Sequence, residues 1–162
     1  MANVDAAFGF VPIRHLSGYA PRANKYTIAT GLAENIFTGD LVHVRVSYTA
    51  SDGSYVYSQY WPSGTAATNI IAYVYDDPFI VYKVQSAGTP AQTNIGNCAD
   101  VVAGAGSTTT GISGFESSGT MSNGTATVKI LALHDSPSNA FGTNAVLEVV
   151  INEHLLKDSA GI

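Results

Sequence analysis

DLVHVRVSYTASDGSYVYSQYW, Asp40 to Trp61, decides the fold class. In its first half Val42, Val44, Val46 and Tyr48 fall on one face of an extended chain, and Leu41, His43, Arg45 and Ser47 fall on the other. Side chains that alternate with a period of two, apolar on one face and polar on the other, make a half-buried β-strand. Ser51-Asp52-Gly53 comes next, and glycine takes a positive φ without steric cost, so Asp-Gly between alternating segments predicts a tight hairpin. SYVYSQYW, Ser54 to Trp61, is the returning strand.

The same texture extends outward. NIIAYVYDD, Asn69 to Asp77, and FIVYKVQ, Phe79 to Gln85, read as two strands separated by Pro78, which has no N–H to give a ladder and marks a break. TATVKILALHD, Thr125 to Asp135, and AVLEVVINEHL, Ala145 to Leu155, read as two more, joined by SPSNAFGTN. One stretch departs from alternation: TNIGNCADVVAG places Ile95, Cys98, Ala99 and Val102 at helical spacing, with Thr93 or Asn94 as N-cap and Gly104 as C-cap. That spacing predicts one short helix near residues 94 to 103. From Gly104 to Ala126 apolar anchors are few, and the expectation is loops with one weak strand.

Residues 1 to 25 fit neither period. Phe8, Phe10, Val11, Ile13 and Leu16 are broken up by Gly9, Pro12, Gly18 and Pro21, so the segment cannot build a core of its own and reads as an extended arm lying on another surface. The expected organisation is therefore this N-terminal arm followed by a single β-rich domain over residues 26 to 162. Its class is all-β: a compact antiparallel β-barrel or β-sandwich with one short helix.

Composition narrows the function classes. A chain of 162 residues buries about 70% of its unfolded surface, enough for one core without a metal or disulfide staple. Charged residues make up 12%, about half of the ~25% usual in soluble domains, so Ser, Thr, Asn and Gly must supply the surface polarity. The net charge of −5 and the scatter of the seven Lys and Arg argue against nucleic acid, whose phosphates need clustered cations. The single Cys98 leaves no internal disulfide and no cysteine metal site, and it reads as a small core residue. No run approaches the ~18 apolar residues of a membrane helix. MANVDAAFGFVPIRHLSG lacks the early positive charge and continuous apolar stretch of a signal peptide, so the expectation is a chain that stays in the cytoplasm where it is made.

The candidate chemical motifs fail one by one. VVAGAGSTTTG, Val101 to Gly111, resembles a phosphate cradle, but Thr109 stands where a dinucleotide fingerprint has its third glycine, and no Lys lies between Lys83 and Lys129 to complete a P-loop. GISGF is one residue short of a nucleophile elbow. Asp76 and Asp77 are adjacent on a strand and point to opposite faces. His15, His43, His134 and His154 show no metal-ligand spacing. His43 lies on a polar strand face, and His134 caps a core strip. Asn123-Gly124-Thr125 reads as an Asn-Gly turn. The sequence thus assigns no catalytic, cofactor or metal residue.

The aromatic residues point elsewhere. All nine tyrosines lie between Tyr19 and Tyr82, with Trp61 among them, and six sit on strands from Tyr48 to Tyr75 on both faces. A core uses one face, so the surplus rings are available for contact with another chain. The candidate contact residues are Tyr55, Tyr57, Tyr60 and Trp61, together with Phe8, Phe10, Val11, Ile13 and Leu16 of the arm.

YTIATGLAENIFTGDLV, Tyr26 to Val42, and DSPSNAFGTNAVLEVVINEHLL, Asp135 to Leu156, resemble the head decoration, or capsid cement, proteins of tailed bacteriophages. The opening FGFVPIRHLSG, the central YVYDDPFIVYKVQ, and the short IGN and GAGSTTTG share the resemblance, which touches most of the chain. HVRV, between GDLV and SYTASDG, is shorter than the family pattern, which has room there for a further strand. The resemblance implies a non-enzymatic virion protein without cofactor that docks between capsomers on the outer surface of an icosahedral shell and stabilises it. Its partners would be the major capsid protein and further copies of itself, as a trimer by preference or a dimer. The rival reading is a carbohydrate-binding β-sandwich of a tail or host-surface adhesin, with Trp61 and the tyrosines stacking on sugar rings.

Overall fold

A computed structural model describes residues 3–41, 45–122, 124–154 and 156–157. Among these residues the chain is almost entirely β, in antiparallel sheets that form a sandwich-like arrangement and do not close into a barrel. The larger sheet has six strands: β1 (Val11–His15), β8 (Ile80–Gln85), β12 (Val146–Ile151), β11 (Val128–Leu133), β9 (Cys98–Val102) and β10 (Glu116–Ser122), in that spatial order. The smaller has four: β2 (Asn24–Thr27), β7 (Ala67–Val74), β4 (Arg45–Ala50) and β5 (Tyr55–Ser58). β3 (Ile36–Phe37) and β6 (Tyr60–Trp61) form a two-stranded ribbon. The break read at Pro78 is the corner at which the chain leaves β7 in the small sheet and enters β8 in the large one.

The opening hairpin is present. β4 pairs with β5 through Ser47↔Tyr57 and Thr49↔Tyr55, and the turn closes when the Gly53 N–H donates to the Ala50 carbonyl at 2.9 Å, with Gly53 at φ +84°. Asp52 reinforces it by accepting the Ser54 amide and hydroxyl at 2.9 and 2.7 Å, which holds its carboxyl below the usual carboxylate range. Val46 and Tyr48 face the core as their alternation requires, whereas Val42, His43 and Val44 lie outside the described residues, as does Asn123.

Two hydrophobic clusters divide the interior. Under the large sheet Phe10, Ile80, Tyr82, Val84, Ala99, Val128, Ile130, Leu147, Val149 and Ile151 pack together. Under the small sheet Val46, Tyr48, Trp61, Ala67, Ile70 and Ala72 do the same. Each large side chain so buried contributes roughly 1.5–3 kcal/mol.

The helix expected near residues 94 to 103 is not there. A single 3-10 turn, η1 (Gln92–Asn94), precedes β9, whose Ala99 is buried and Val101 half-buried while Asp100 and Val102 are exposed. The apolar positions 95, 98, 99 and 102 admit either period, and the ladder decides between them. Ala99 and Cys98 pair with Val128 and Lys129, and before them Gly96 at φ +90° gives its N–H to Ile130 while Ile130 gives its own to Asn97. Cys98 itself is half-buried.

The N-terminal arm also needs correction. It is extended, but it belongs to the domain. β1 pairs with β8 through Val11↔Lys83 and His15↔Ile80, and β2, which begins inside the same segment, pairs with β7. Phe10 is fully buried, and Gly9, at φ +72°, crosses Gly39 so closely that a Cβ there would lie 2.1 Å from the Gly39 carbonyl oxygen. The first residues are tied by side chains. Gln85, itself buried, accepts the Ala6 N–H and donates to the Val4 carbonyl, and Asn3 donates to the carbonyls of Ala140 and Thr143. The surface that the apolar arm requires is supplied by the chain's own β8 and the 136–144 loop.

Candidate functional site

The contact residues expected from the sequence separate by burial. Trp61 is wholly buried, meets Tyr48 edge to face, and donates its Nε1–H to the Leu32 carbonyl. Phe10 is equally buried, and Tyr60 stacks on Phe37 with centroids 5.4 Å apart. Phe8 lies half-buried with the Lys83 ammonium over its ring, and Val11 and Ile13 are half-buried in β1. Only Leu16, Tyr55 and Tyr57 remain available, at 49%, 67% and 57% exposure.

Leu16 belongs to an exposed apolar end that the sequence did not reveal as a unit. The turn after β1 and the corner before β8 meet there: the Leu16 N–H donates to the Phe79 carbonyl at 2.9 Å, and Leu16, Tyr19 and Phe79 stand out to solvent. His15 fixes the turn from beneath. The Ser17 amide donates to His15 Nδ1 at 3.0 Å, so that nitrogen is an acceptor and Nε2 carries the proton toward Asp77 Oδ1 at 3.2 Å. The Ser17 hydroxyl also lies 2.5 Å from Nδ1. A cavity of about 280 Å³ opens beside them, lined by His15, Tyr19, Pro21, Arg22, Asp77 and Ile80 among others.

Ser17, His15 and Asp77 stand in the order hydroxyl, imidazole, carboxylate, which in other settings activates a nucleophile. Here the donor cradle that such chemistry needs is not supplied by the three amides around the trio. Ser17 N–H is spent on His15 Nδ1, Gly18 N–H on the His15 carbonyl, and Phe79 N–H on Asp77 Oδ1. The trio ties the turn carrying Leu16 to the corner at Asp77. Sequence spacing could pair His15 with Ser17, but Asp77 lies 62 residues away and only the corner at Pro78 brings it in.

A second surface is the outward face of the small sheet, and the strand register builds it. Lys25, Tyr73 and Arg45 form one row across β2, β7 and β4; Thr27, Ile71, Ser47 and Tyr57 form the next, extending to β5. Directly paired residues share a face, so all of these point away from the core that holds Val46 and Ala72. The Tyr57 and Tyr73 rings lie 5.9 Å apart at 48° to each other, and the Lys25 ammonium sits 5.6 Å from the Tyr73 centroid. Ala23, Arg45, Tyr57, Tyr73 and Tyr75 line a groove of about 360 Å³. Arg45 makes no ion pair among the described residues. Ser47, two residues along, is wholly buried and its hydroxyl has no hydrogen-bond partner among them.

The glycines of the run at 101–111 sit in close packing. A Cβ on Gly106 would lie 2.3 Å from the Phe37 ring, and one on Gly104 would lie 2.0 Å from the Gly114 carbonyl oxygen. Ser107 closes the loop by donating its N–H to Ile112 and accepting those of Gly111 and Thr110. His134 is half-buried and shares Glu148 with Arg14, at 3.2 and 2.9 Å. Among the described residues no group of three or more His, Cys, Asp or Glu side chains is placed to hold a metal ion, and no helix is long and apolar enough to cross a membrane. Comparison with protein-family models, characterised proteins and solved structures finds no match to the chain.

Proposed function

We propose that this chain is a virion structural protein that decorates the outer surface of an icosahedral bacteriophage capsid, binding between capsomers and stabilising the shell. It is made in the host cytoplasm, acts without cofactor or catalysis, and partners the major capsid protein and other copies of itself, as a trimer by preference or a dimer. The resemblance of the segments around Tyr26, Tyr73 and Asp135 suggests the family. The observation that carries the reading is the apolar end. Leu16, Tyr19 and Phe79 are 49%, 75% and 47% exposed, yet they sit on a turn tied by His15 and Asp77 and joined to the sheet by the Leu16–Phe79 hydrogen bond. Large side chains carried on a fixed turn require less backbone ordering on docking, so more of their burial goes into affinity. A ligand that binds only the assembled shell stabilises it by mass action.

The test uses shells stripped of the protein. Wild-type chain and the Leu16→Asp/Phe79→Asp double variant are each mixed with such shells, and occupancy is measured after sedimentation. Saturable occupancy by the wild type and at least about tenfold weaker addition of the variant, with unchanged melting temperature, is the expected result. Failure of the wild type to sediment with the shells would overturn the reading.

A further inference from the structure

We infer that the outward face of the small sheet is a binding site for an acidic sugar, a pyranose carrying a carboxylate, seated in the groove between Tyr57, Tyr73 and Arg45. Two features of the groove converge on that chemistry. Its walls are aromatic: the Tyr57 and Tyr73 rings are 5.9 Å apart and inclined at 48°. A puckered sugar ring can rest a C–H face on this ring pair while its hydroxyls stay wet. At one side stands Arg45, exposed and without an ion-pair partner among the described residues, with Lys25 flanking Tyr73 on the other. Two cations in one row on a protein of net charge −5 make a local positive field, and the planar guanidinium fork suits a carboxylate.

The groove volume of about 360 Å³ lies at the lower end of the range for small-ligand sites, which fits one sugar ring with its substituents. An acidic protein segment would satisfy Arg45 but leaves the ring pair unexplained.

The test follows the ring resonances of Tyr57 and Tyr73 by NMR while the full chain is titrated with glucuronic acid, N-acetylneuraminic acid, glucose, a triglutamate peptide and uridine monophosphate. The expected result is a saturable shift with at least one acidic sugar, at least about tenfold tighter than with glucose, and weaker for the peptide and the nucleotide. Arg45→Gln should bring the acidic sugar to the level of glucose, and Tyr57→Leu should weaken it about tenfold, with the melting temperature of both unchanged. Absence of a saturable shift with either acidic sugar, equal binding by triglutamate or the nucleotide, or binding indifferent to Arg45→Gln would each overturn the proposal. None of these outcomes depends on whether the chain docks on a shell, which the Leu16 and Phe79 variants test separately.

Discussion

The ring of Phe10 meets the ring of Tyr82 edge to face, with centroids 6.2 Å apart and planes at 76°, and both residues are wholly buried. The N-terminal segment thereby supplies one of the largest side chains of the main core. Phe10→Ala should cost about 3–5 kcal/mol, read from chemical denaturation. Deleting Met1 to Ser17 removes β1 as well, and the product should show no cooperative unfolding transition.

Gly9 and Gly18 give a matched pair. Both have positive φ, +72° and +87°, but a Cβ at Gly9 would strike the Gly39 backbone while one at Gly18 meets nothing within 4 Å. Gly18→Ala should cost roughly 1–2 kcal/mol from backbone strain alone. Gly9→Ala should cost clearly more, because Phe10 N–H must also give up the Gly39 carbonyl it reaches at 2.6 Å. Equal losses in the two variants would show that the crossing at Gly39 is not tight.

Asn139 holds the neck of the last hairpin. Its amide donates to the carbonyls of His134 and Val146 and its oxygen accepts the Val146 N–H, at 2.7, 2.8 and 2.9 Å. Asn139→Ala should cost about 2 kcal/mol, and Asn139→Asp at least as much, since a carboxylate would face two carbonyl oxygens. Thermal melts of the two variants decide it.

Burial, with Asp77 and Asp76 nearby, pushes the Tyr82 phenol up, and the hydrogen bond it donates to Asp76 pushes the Tyr26 phenol up. A phenol whose folded pKa is raised contributes stability that is fully present below its unfolded value of about 10 and is lost as pH rises through the folded one. Absorbance titration should therefore show Tyr26 and Tyr82 ionising above the ordinary phenol range, Tyr82 only as the domain unfolds. Tyr82→Phe should weaken the alkaline loss of stability while costing about 1 kcal/mol at neutral pH, through the hydrogen bond to the Tyr75 carbonyl.

What the sequence disclosed was whatever depends on period. Arg45 and Ser47 alternate with Val46 and Tyr48, so the polar face that carries the groove was legible from Asp40 to Ala50, as was the hairpin at Gly53. The misreadings came from contacts distant in sequence. Ala99 has the spacing of a helix until Val128 pairs with it. Phe10 sits among glycines and a proline and looks unsupported until β8 is beside it. Trp61 stands on the same alternating run as Tyr55 and Tyr57, but it belongs to the ribbon with Ile36 and turns inward, which removes it from any sugar-stacking role. Phe79 and Leu16 become one surface only because the chain changes sheets at Pro78.

Cryo-electron microscopy of the source virion tests the central claim most directly. The account predicts density for this sandwich on the outer surface of the shell at junctions between capsomers, with Leu16, Tyr19 and Phe79 turned toward the capsid protein. Its location on the tail or a fibre, or its absence from the virion, would contradict the account.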